Sequence, residues 1–365
     1  MKKPRFSRIV VKIGSNVLAR PDGTLDLTRM SALVDQVADL RRAGLEVVLV
    51  SSGAVASGRS ELRLPKARLE NLDDVERRQL FSAVGQAKLI NRYYELFREH
   101  RIPVGQVLTM KENFSTRHHY LNQRACMEVM LRNGVLPIVN ENDTVSVTEL
   151  MFTDNDELSG LVATMMDAQA LVILSNVDGL FDGSPTDPAA RLIPEVEAGA
   201  DLERYVQSTA SGFGRGGMKT KYGIARQVAA EGLHVYIANG KRDGILPALL
   251  LGCGEARATH FQPGAGELSS VKRWIAHSGP FAKGALYLNA QAVEAISGDK
   301  AVSILPVGLV RVTGEFEKDD LVRICAEDGT VLGFGRSAYD AAEAADAVGQ
   351  HKRRPIVHYD YLYLS

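Results

Sequence analysis

Through about residue 250 the chain alternates short apolar runs with amphipathic stretches, and this alternation narrows the possible folds more than any other feature. The runs Ile9 to Ile13, Leu45 to Val50, Ile102 to Leu108, Val135 to Asn140, Ala170 to Leu174 and His234 to Ala238 read as buried strands. Between them, Thr28 to Ala43, Asp73 to Glu99, Thr116 to Arg132, Glu157 to Asp167 and Met218 to Glu231 read as helices. In the first of these, Met30, Leu33, Val34, Val37 and Leu40 recur at helical spacing, with Asp26 or Thr28 as a cap and Gly44 as a stop. Strands without polar alternation, joined by helical crossovers, predict an α/β fold whose mostly parallel sheet is sandwiched by helices. Ligands in such sheets bind beyond the carboxyl ends of the strands. The chemically suggestive clusters fall at those ends.

The texture changes after about Gly252. Segments around Gly284 to Leu288, Ser303 to Pro306, Gly308 to Thr313, Leu321 to Cys325 and Val331 to Ser337 are short and strand-like, with turns rich in Gly and Asp between them. One helix is expected near Ala338 to Val348. The predicted organisation is a first domain over 1–255, a linker over 256–280, and a small, mostly β domain over 281–362. A length of 365 residues suits two domains with a sizeable core. The net charge of −1 supplies no global attraction to nucleic acid or anionic membrane. Cys126, Cys253 and Cys325 show neither CxxC nor metal-ligand spacing and read as reduced, buried thiols. No apolar stretch reaches transmembrane length and no signal region follows Met1-Lys2-Lys3, so a cytoplasmic location is expected.

Two glycine-linked lysine segments lie far apart in the chain. Lys12-Ile13-Gly14-Ser15 closes the first strand, and Gly212-Phe213-Gly214-Arg215-Gly216-Gly217-Met218-Lys219-Thr220-Lys221 opens a helix. Glycine lets backbone N–H groups approach phosphate oxygens, and lysine supplies a compact positive charge. The second segment is not a Walker loop. Met218 follows Gly217 where that motif demands lysine, and Asp201 to Ser211 before it is too polar for a buried strand. A flexible surface loop is the competing reading of the glycines.

Other polar clusters have two readings each. Asn140-Glu141-Asn142-Asp143 can read the amino and carboxylate groups of a small zwitterion, or form an Asx-turn leaving a strand. Thr153-Asp154-Asn155-Asp156-Glu157 can hold a substrate at a helix N-terminus, or simply cap that helix. Ser51-Ser52-Gly53 suits a carboxylate and equally suits a strand-to-helix turn. Ser175-Asn176-Val177-Asp178 can contact a nucleotide base or ribose. No GxSxG elbow, HExxH helix or dinucleotide glycine fingerprint after a strand occurs, which removes serine hydrolases, zinc proteases and dinucleotide enzymes. His118-His119 lacks a suitably spaced third ligand and reads as a surface pair.

Taken in order, Val11-Lys12-Ile13-Gly14-Ser15, Ser51-Ser52-Gly53-Ala54, Ala83-Val84-Gly85-Gln86, Val139-Asn140-Glu141-Asn142-Asp143, Asp154-Asn155-Asp156 and Gly214 to Lys221 resemble the amino acid kinase family. Within it they are most similar to the branch that phosphorylates L-glutamate. The C-terminal region resembles a PUA domain. The resemblance implies transfer of the ATP γ-phosphoryl group to the γ-carboxylate of L-glutamate, with Mg²⁺ accompanying ATP, as the first step of proline synthesis. It implies that Lys12 and Lys221 neutralise the transferring group while Asp154 and Asp156 orient them. It implies further that Ser52, Asp143 and Asn155 bind glutamate. Lys12, Ser175 and Asn176, with the run Arg215, Gly216, Gly217, Met218, Lys219, Thr220 and Lys221, would hold ATP. No protein ligand to the metal is implied.

Two positions depart from the family pattern: Ser175-Asn176 replaces a frequent Thr-Asp, and Arg215 stands where a small hydroxyl residue is common. The resemblance also implies a homo-oligomer, proline as a feedback inhibitor at or near the glutamate pocket, and delivery of product to a glutamyl phosphate reductase. Aspartate or carbamate kinase activity is the nearest alternative, disfavoured by the PUA-like tail and by Asn140 to Asp143. RNA is not expected as a partner, because Lys352-Arg353-Arg354 is offset by Glu315, Glu317, Asp319 and Asp320 in the same domain.

Overall fold

The protein is described from a computed structural model. The described residues are 4–62, 65, 69–114, 117–145, 155–185, 187–206, 217–264, 272, 274, 275, 279, 282–298 and 301–364. The chain forms two compact units, Met1–Lys111 with Arg124–Glu267, and Glu112–Gln123 with Leu268–Ser365.

In the first unit, strands β1 (Arg8–Ile13), β2 (Glu46–Ser51), β3 (Val104–Thr109), β4 (Leu136–Glu141), β5 (Ala170–Ser175), β6 (Glu195–Val196), β7 (His234–Asn239) and β8 (Ala258–Phe261) form one sheet in the order β3-β4-β2-β1-β5-β7-β8-β6. Every pair from β3 across to β7 is parallel, so the carboxyl ends of these strands share one edge. β2, β4 and β5 are almost wholly buried, as apolar strands covered on both faces must be.

The departures from sequence expectation are local. Ala258–Phe261 falls in the stretch read as linker, yet it pairs antiparallel with β7 and joins the large sheet. Four residues are too few to display a periodic signal. Ala54–Leu62 and Ile245–Leu251 are helices that the turn-like residues around them obscured. The helix expected from Glu157 begins at Asn155, which places Asn155 and Asp156 in its first turn.

The second unit carries a five-stranded sheet of β9 (Gly284–Leu288), β10 (Leu309–Gly314), β11 (Leu321–Ala326), β12 (Val331–Arg336) and β13 (Leu362–Leu364), in the order β10-β9-β11-β12-β13. Leu286, Leu288, Val322 and Ile324 pack in its core with Phe316, Tyr339 and Ile356. Among the described residues the sheet is accompanied by helix Ala341–Asp346, where one was expected, and helix Ala290–Ser297, where none was. The strand read at Ser303 to Pro306 is a single bridge between Ile304 and Val357. Cys325 is buried, whereas Cys126 and Cys253 are exposed free thiols, contrary to their reading as buried side chains.

One close approach shapes the site edge of the first unit. Helix Ala54–Leu62 crosses the long helix Asp74–Glu99, whose N-terminus is locked by an Asp73/Glu76 capping box. At the crossing, a Cβ on Gly58 would lie 1.8 Å from the Phe81 carbonyl oxygen, and one on Gly85 would lie 1.7 Å from that of Ala54. Glycine is required there because backbone, not a flexible side chain, occupies the space. Gly85→Ala is therefore expected to destabilise the protein by about 1–3 kcal/mol through overpacking. Gly223→Ala, in open space on helix Met218–Ala230, should instead be neutral or stabilising by about 0.5–1 kcal/mol. Denaturant melts of the two variants check this contrast.

Candidate active site

Lys12 is the penultimate residue of β1, paired in register with Val50 on one side and Ile173 on the other. Strand alternation sends Ile9, Val11 and Ile13 into the large core, so Lys12 points to the opposite face. There it meets Asp156, in the first turn of helix Asn155–Met165. Lys221, in the second turn of helix Met218–Ala230, donates to the other oxygen of the same carboxylate, Nζ to Oδ2 at 2.8 Å. The Asp156 side chain is wholly buried, and those of Lys12 and Lys221 are 5% and 11% exposed.

Three charges thus share a nearly dry site, two positive and one negative. Burial pushes the Asp156 carboxyl up, but the charges of Lys12 and then Lys221 outweigh it and hold the group below the ordinary carboxylate range. The carboxylate is therefore ionised at any pH where the protein works, and the pair of lysines carries one net positive charge beyond it. A dry site with surplus positive charge attracts an anion.

The two lysines of the glycine loop separate cleanly. Lys219 is largely exposed and lies 3.7 Å from Glu203, whereas Lys221 is buried on Asp156. Two residues on a helix differ by roughly 200° of rotation, so only one of the pair can face the sheet. Gly217 is the N-cap, and having no side chain it makes no side-chain cap hydrogen bond to the first turn of the helix. Arg215 and Gly216 lie outside the described residues, as does Asp154.

Beside the lysines opens a cavity of about 440 Å³, lined by Ser15, Ser52, Arg78, Asn140, Asp143 and Asn155 among others. The Asn155 amide donates to Ser52 Oγ at 3.0 Å, to Asn140 Oδ1 at 3.1 Å and to the Ser51 carbonyl at 3.3 Å. One side chain therefore ties the helix carrying Asp156 to the ends of β2 and β4. Gly53, after Ser52, has φ +114°, a conformation that favours glycine, and its carbonyl accepts from Ser57 to start the next helix. The sequence-predicted residues Lys12, Lys221, Asp156, Ser52, Asp143 and Asn155 are thus brought to one edge.

Ser175 ends β5 and is buried, Asn176 follows it and is exposed, and Ser175 Oγ lies 3.4 Å from Asn176 Oδ1. Next to them Asp178 is gripped by Arg242 at 2.6 and 2.5 Å and accepts from Asn239 at 3.1 Å. These hydrogen bonds, Arg242 first, hold its carboxyl low.

Sequence reasoning missed a row on the long helix. Arg78 Nε donates to Asp143 Oδ1 at 2.8 Å and its Nη2 to Glu141 Oε2 at 2.9 Å. Ser82 Oγ donates to Asp143 Oδ2 at 3.1 Å, and Gln86 Nε2 to the Glu141 carbonyl at 3.0 Å. Positions 78, 82 and 86 share a helix face, and that four-residue spacing was the available signal. It was hidden because Arg77-Arg78-Gln79 reads as a solvated surface.

A parallel sheet that delivers a strand-end lysine, a helix-borne lysine and a polar pocket to one edge defines a small-molecule kinase that works without a Walker loop. The chain belongs to the amino acid kinase family, whose model matches residues 7–239, and a PUA domain model matches residues 284–359. A glutamate 5-kinase of Bacteroides thetaiotaomicron is 64% identical over 363 residues, covering 100% of both chains. A glutamate 5-kinase of Chlorobaculum tepidum is 46% identical, covering 99% of this chain and 98% of its own. A third, from Pelobacter propionicus, is 38% identical over 96% and 92% of the two chains.

Asp156→Asn tests the charge arrangement. It leaves two buried ammonium groups without their shared carboxylate and is expected to cost about 3–5 kcal/mol of stability. Because the folded-state pKa of Asp156 is depressed, its contribution is complete above the ordinary carboxylate range. It is lost only as pH falls below that range through the lowered value. Thermal melts from neutral to acid pH should therefore show a wild-type advantage over Asp156→Asn at neutral pH that narrows on acidification.

Proposed function

We propose that the protein transfers the γ-phosphoryl group of ATP to the γ-carboxylate of L-glutamate, giving L-glutamyl 5-phosphate, the first step of proline synthesis. The observation that carries this reading is the Lys12–Asp156–Lys221 triad beside a pocket lined by Ser52, Asp143 and Asn155, in a chain that aligns end to end with glutamate 5-kinases. A carboxylate is ionised at neutral pH and needs no general base. One of its oxygens bonds to the γ-phosphorus as the bond to the β–γ bridging oxygen breaks, and ADP leaves with that electron pair. The barrier is largely the approach of one anion to another. Positioning and fixed positive charge address it.

In this assignment Lys12 and Lys221 are catalytic, stabilising charge on the transferring group from two separate elements. Asp156 positions both and keeps them from drifting. Ser52 and Asn155 hold the reacting carboxylate end of glutamate, and Asp143 takes the ammonium group. Gly217, Met218, Lys219 and Thr220 offer the helix N-terminus to ATP phosphates, with Lys12 and Lys221 beside them, while Ser175 and Asn176 face the nucleoside. Arg215 and Gly216 complete that loop, and Asp154 supports the lysines. Among the described residues no group of three or more His, Cys, Asp or Glu converges into a metal cage. Asp156 is committed to lysine. Mg²⁺ is assigned to the MgATP substrate, held by phosphate oxygens.

The same reading brings proline as a feedback inhibitor, a homo-oligomeric state and hand-over of product to a glutamyl phosphate reductase. No described helix is long and apolar enough to cross a membrane. RNA binding by the C-terminal domain draws support from the PUA match, but Lys352, Arg353 and Arg354 line their cleft with Glu343 and Asp346. Such mixed charge disfavours a phosphate track.

A coupled ADP-release assay across a panel of amino acids is decisive: turnover should depend on L-glutamate, and its absence sinks the proposal. Lys221→Ala should lower kcat on the order of 10²- to 10³-fold, the scale of a lost charge-stabilising donor. Asp143→Ala should act mainly on the KM for glutamate. A fall in kcat with unchanged KM would contradict the binding role of Asp143.

A further inference from the structure

The proposed chemistry gives no role to the guanidinium of Arg78 in the pocket wall. Three arginines line the cavity, Arg59, Arg77 and Arg78. Arg59 lies over the Phe81 ring at 5.7 Å, and Arg77 donates to the Leu72 carbonyl at 3.0 Å with Asp74 3.6 Å away. Arg78 alone reaches Asp143 and Glu141, through Nε and Nη2, so Nη1 is the guanidinium nitrogen engaged by neither acid. Its mount is rigid. The helix that bears it is capped at Asp73 and wedged at Gly85, and Ser82 on the same face grips the other oxygen of Asp143.

An amino acid phosphorylated on its side chain presents an ammonium and a carboxylate on one carbon at its far end. The matching protein feature is an anion and a cation in direct contact, both facing the pocket. Asp143 and Arg78 are such a pair. The two lysines cannot serve the α-carboxylate, since Asp156 holds both beside the reacting end. We infer that Arg78 is a specificity-determining residue: its guanidinium binds the α-carboxylate of the amino-acid substrate through Nη1 while Asp143 binds the adjacent ammonium. The inference rests on the glutamate reading of the site and names what selects an α-amino acid over a simple dicarboxylate. Arginine suits this task because its planar fork serves two acids and still presents N–H groups to a third.

The test uses the full chain and two substrates in the ADP-release assay, L-glutamate and L-isoglutamine, which keeps the γ-carboxylate but has a carboxamide in place of the α-carboxylate. Wild type should prefer glutamate. Arg78→Met should raise the glutamate KM roughly 10- to 100-fold, the scale of a lost charged hydrogen bond. The isoglutamine KM should stay within about threefold, because that substrate presents no α-carboxylate to Arg78. The preference then collapses. A purely structural role for Arg78 would raise both KM values alike, and that outcome overturns the inference, as does an unchanged glutamate KM. If Arg78→Met melts below the assay temperature, Arg78→Lys carries the test. It keeps the charge but loses the fork, so the glutamate-to-isoglutamine preference must shrink, and an undiminished preference overturns the inference. Wild type that fails to turn over glutamate overturns the proposed activity and this inference together. Wild-type turnover with an undiminished preference in the variants overturns this inference alone.

Discussion

Everything at the site edge depends on one buried carboxylate holding two ammonium groups. Lys12 arrives on a central strand and Lys221 on a helix more than 200 residues later, and the Asp156 carboxylate touches both. Burying a single lysine beside the sheet would be expensive, because desolvation disfavours its charge. Sharing a carboxylate between two lowers that cost while leaving a net positive charge. The compromise suits phosphoryl transfer. A fully neutralised site would not attract ATP phosphates, and an unneutralised one would destabilise the fold.

The sheet makes this compromise geometrically possible. Parallel pairing from β3 across to β7 brings the carboxyl ends of these strands to one edge, so Lys12, Ser52, Asn140 and Ser175 gather without any being near another in sequence. Helix Asn155–Met165 is buried on nearly all sides and carries Asp156 inward, while the adjacent Asn155 fastens it to β2 and β4. The long helix Asp74–Glu99 closes the pocket from the side through Arg78, Ser82 and Gln86. Its position rests on Gly58 and Gly85, where backbone meets backbone. Backbone packing at Gly58 and Gly85 thus fixes the helix that lines one side of the cavity.

How much of this was legible in the chain differs from residue to residue. The strand and helix pattern of the first 250 residues was plain, because six continuous apolar runs alternate with helices long enough to show a period. The strand Ala258–Phe261 was not, since four residues carry no period, and helix Ala290–Ser297 was lost among the short strands around it. Lys12, Asp156 and Lys221 were each visible in motifs. The resemblance gave Asp154 and Asp156 the task of orienting the lysines, but neither the sharing of the Asp156 carboxylate by both nor the outward turn of Lys219 toward Glu203 was visible. Arg78 was hidden altogether, because an arginine on an amphipathic helix looks the same whether it faces water or a pocket.

Local sequence alone determined the α/β class, the glycine-flanked lysines, the absence of a Walker loop and the polar run Asn140 to Asp143, since each is a matter of neighbouring residues and their spacing. Only the tertiary structure decided that one carboxylate serves both lysines, that Lys221 rather than Lys219 turns inward, and that Arg78 meets Asp143. The pairs Lys221–Asp156 and Arg78–Asp143 each join side chains 65 residues apart. Their meeting is set by strand order, helix rotation and glycine-permitted close packing, none of which is written in any short stretch of the chain.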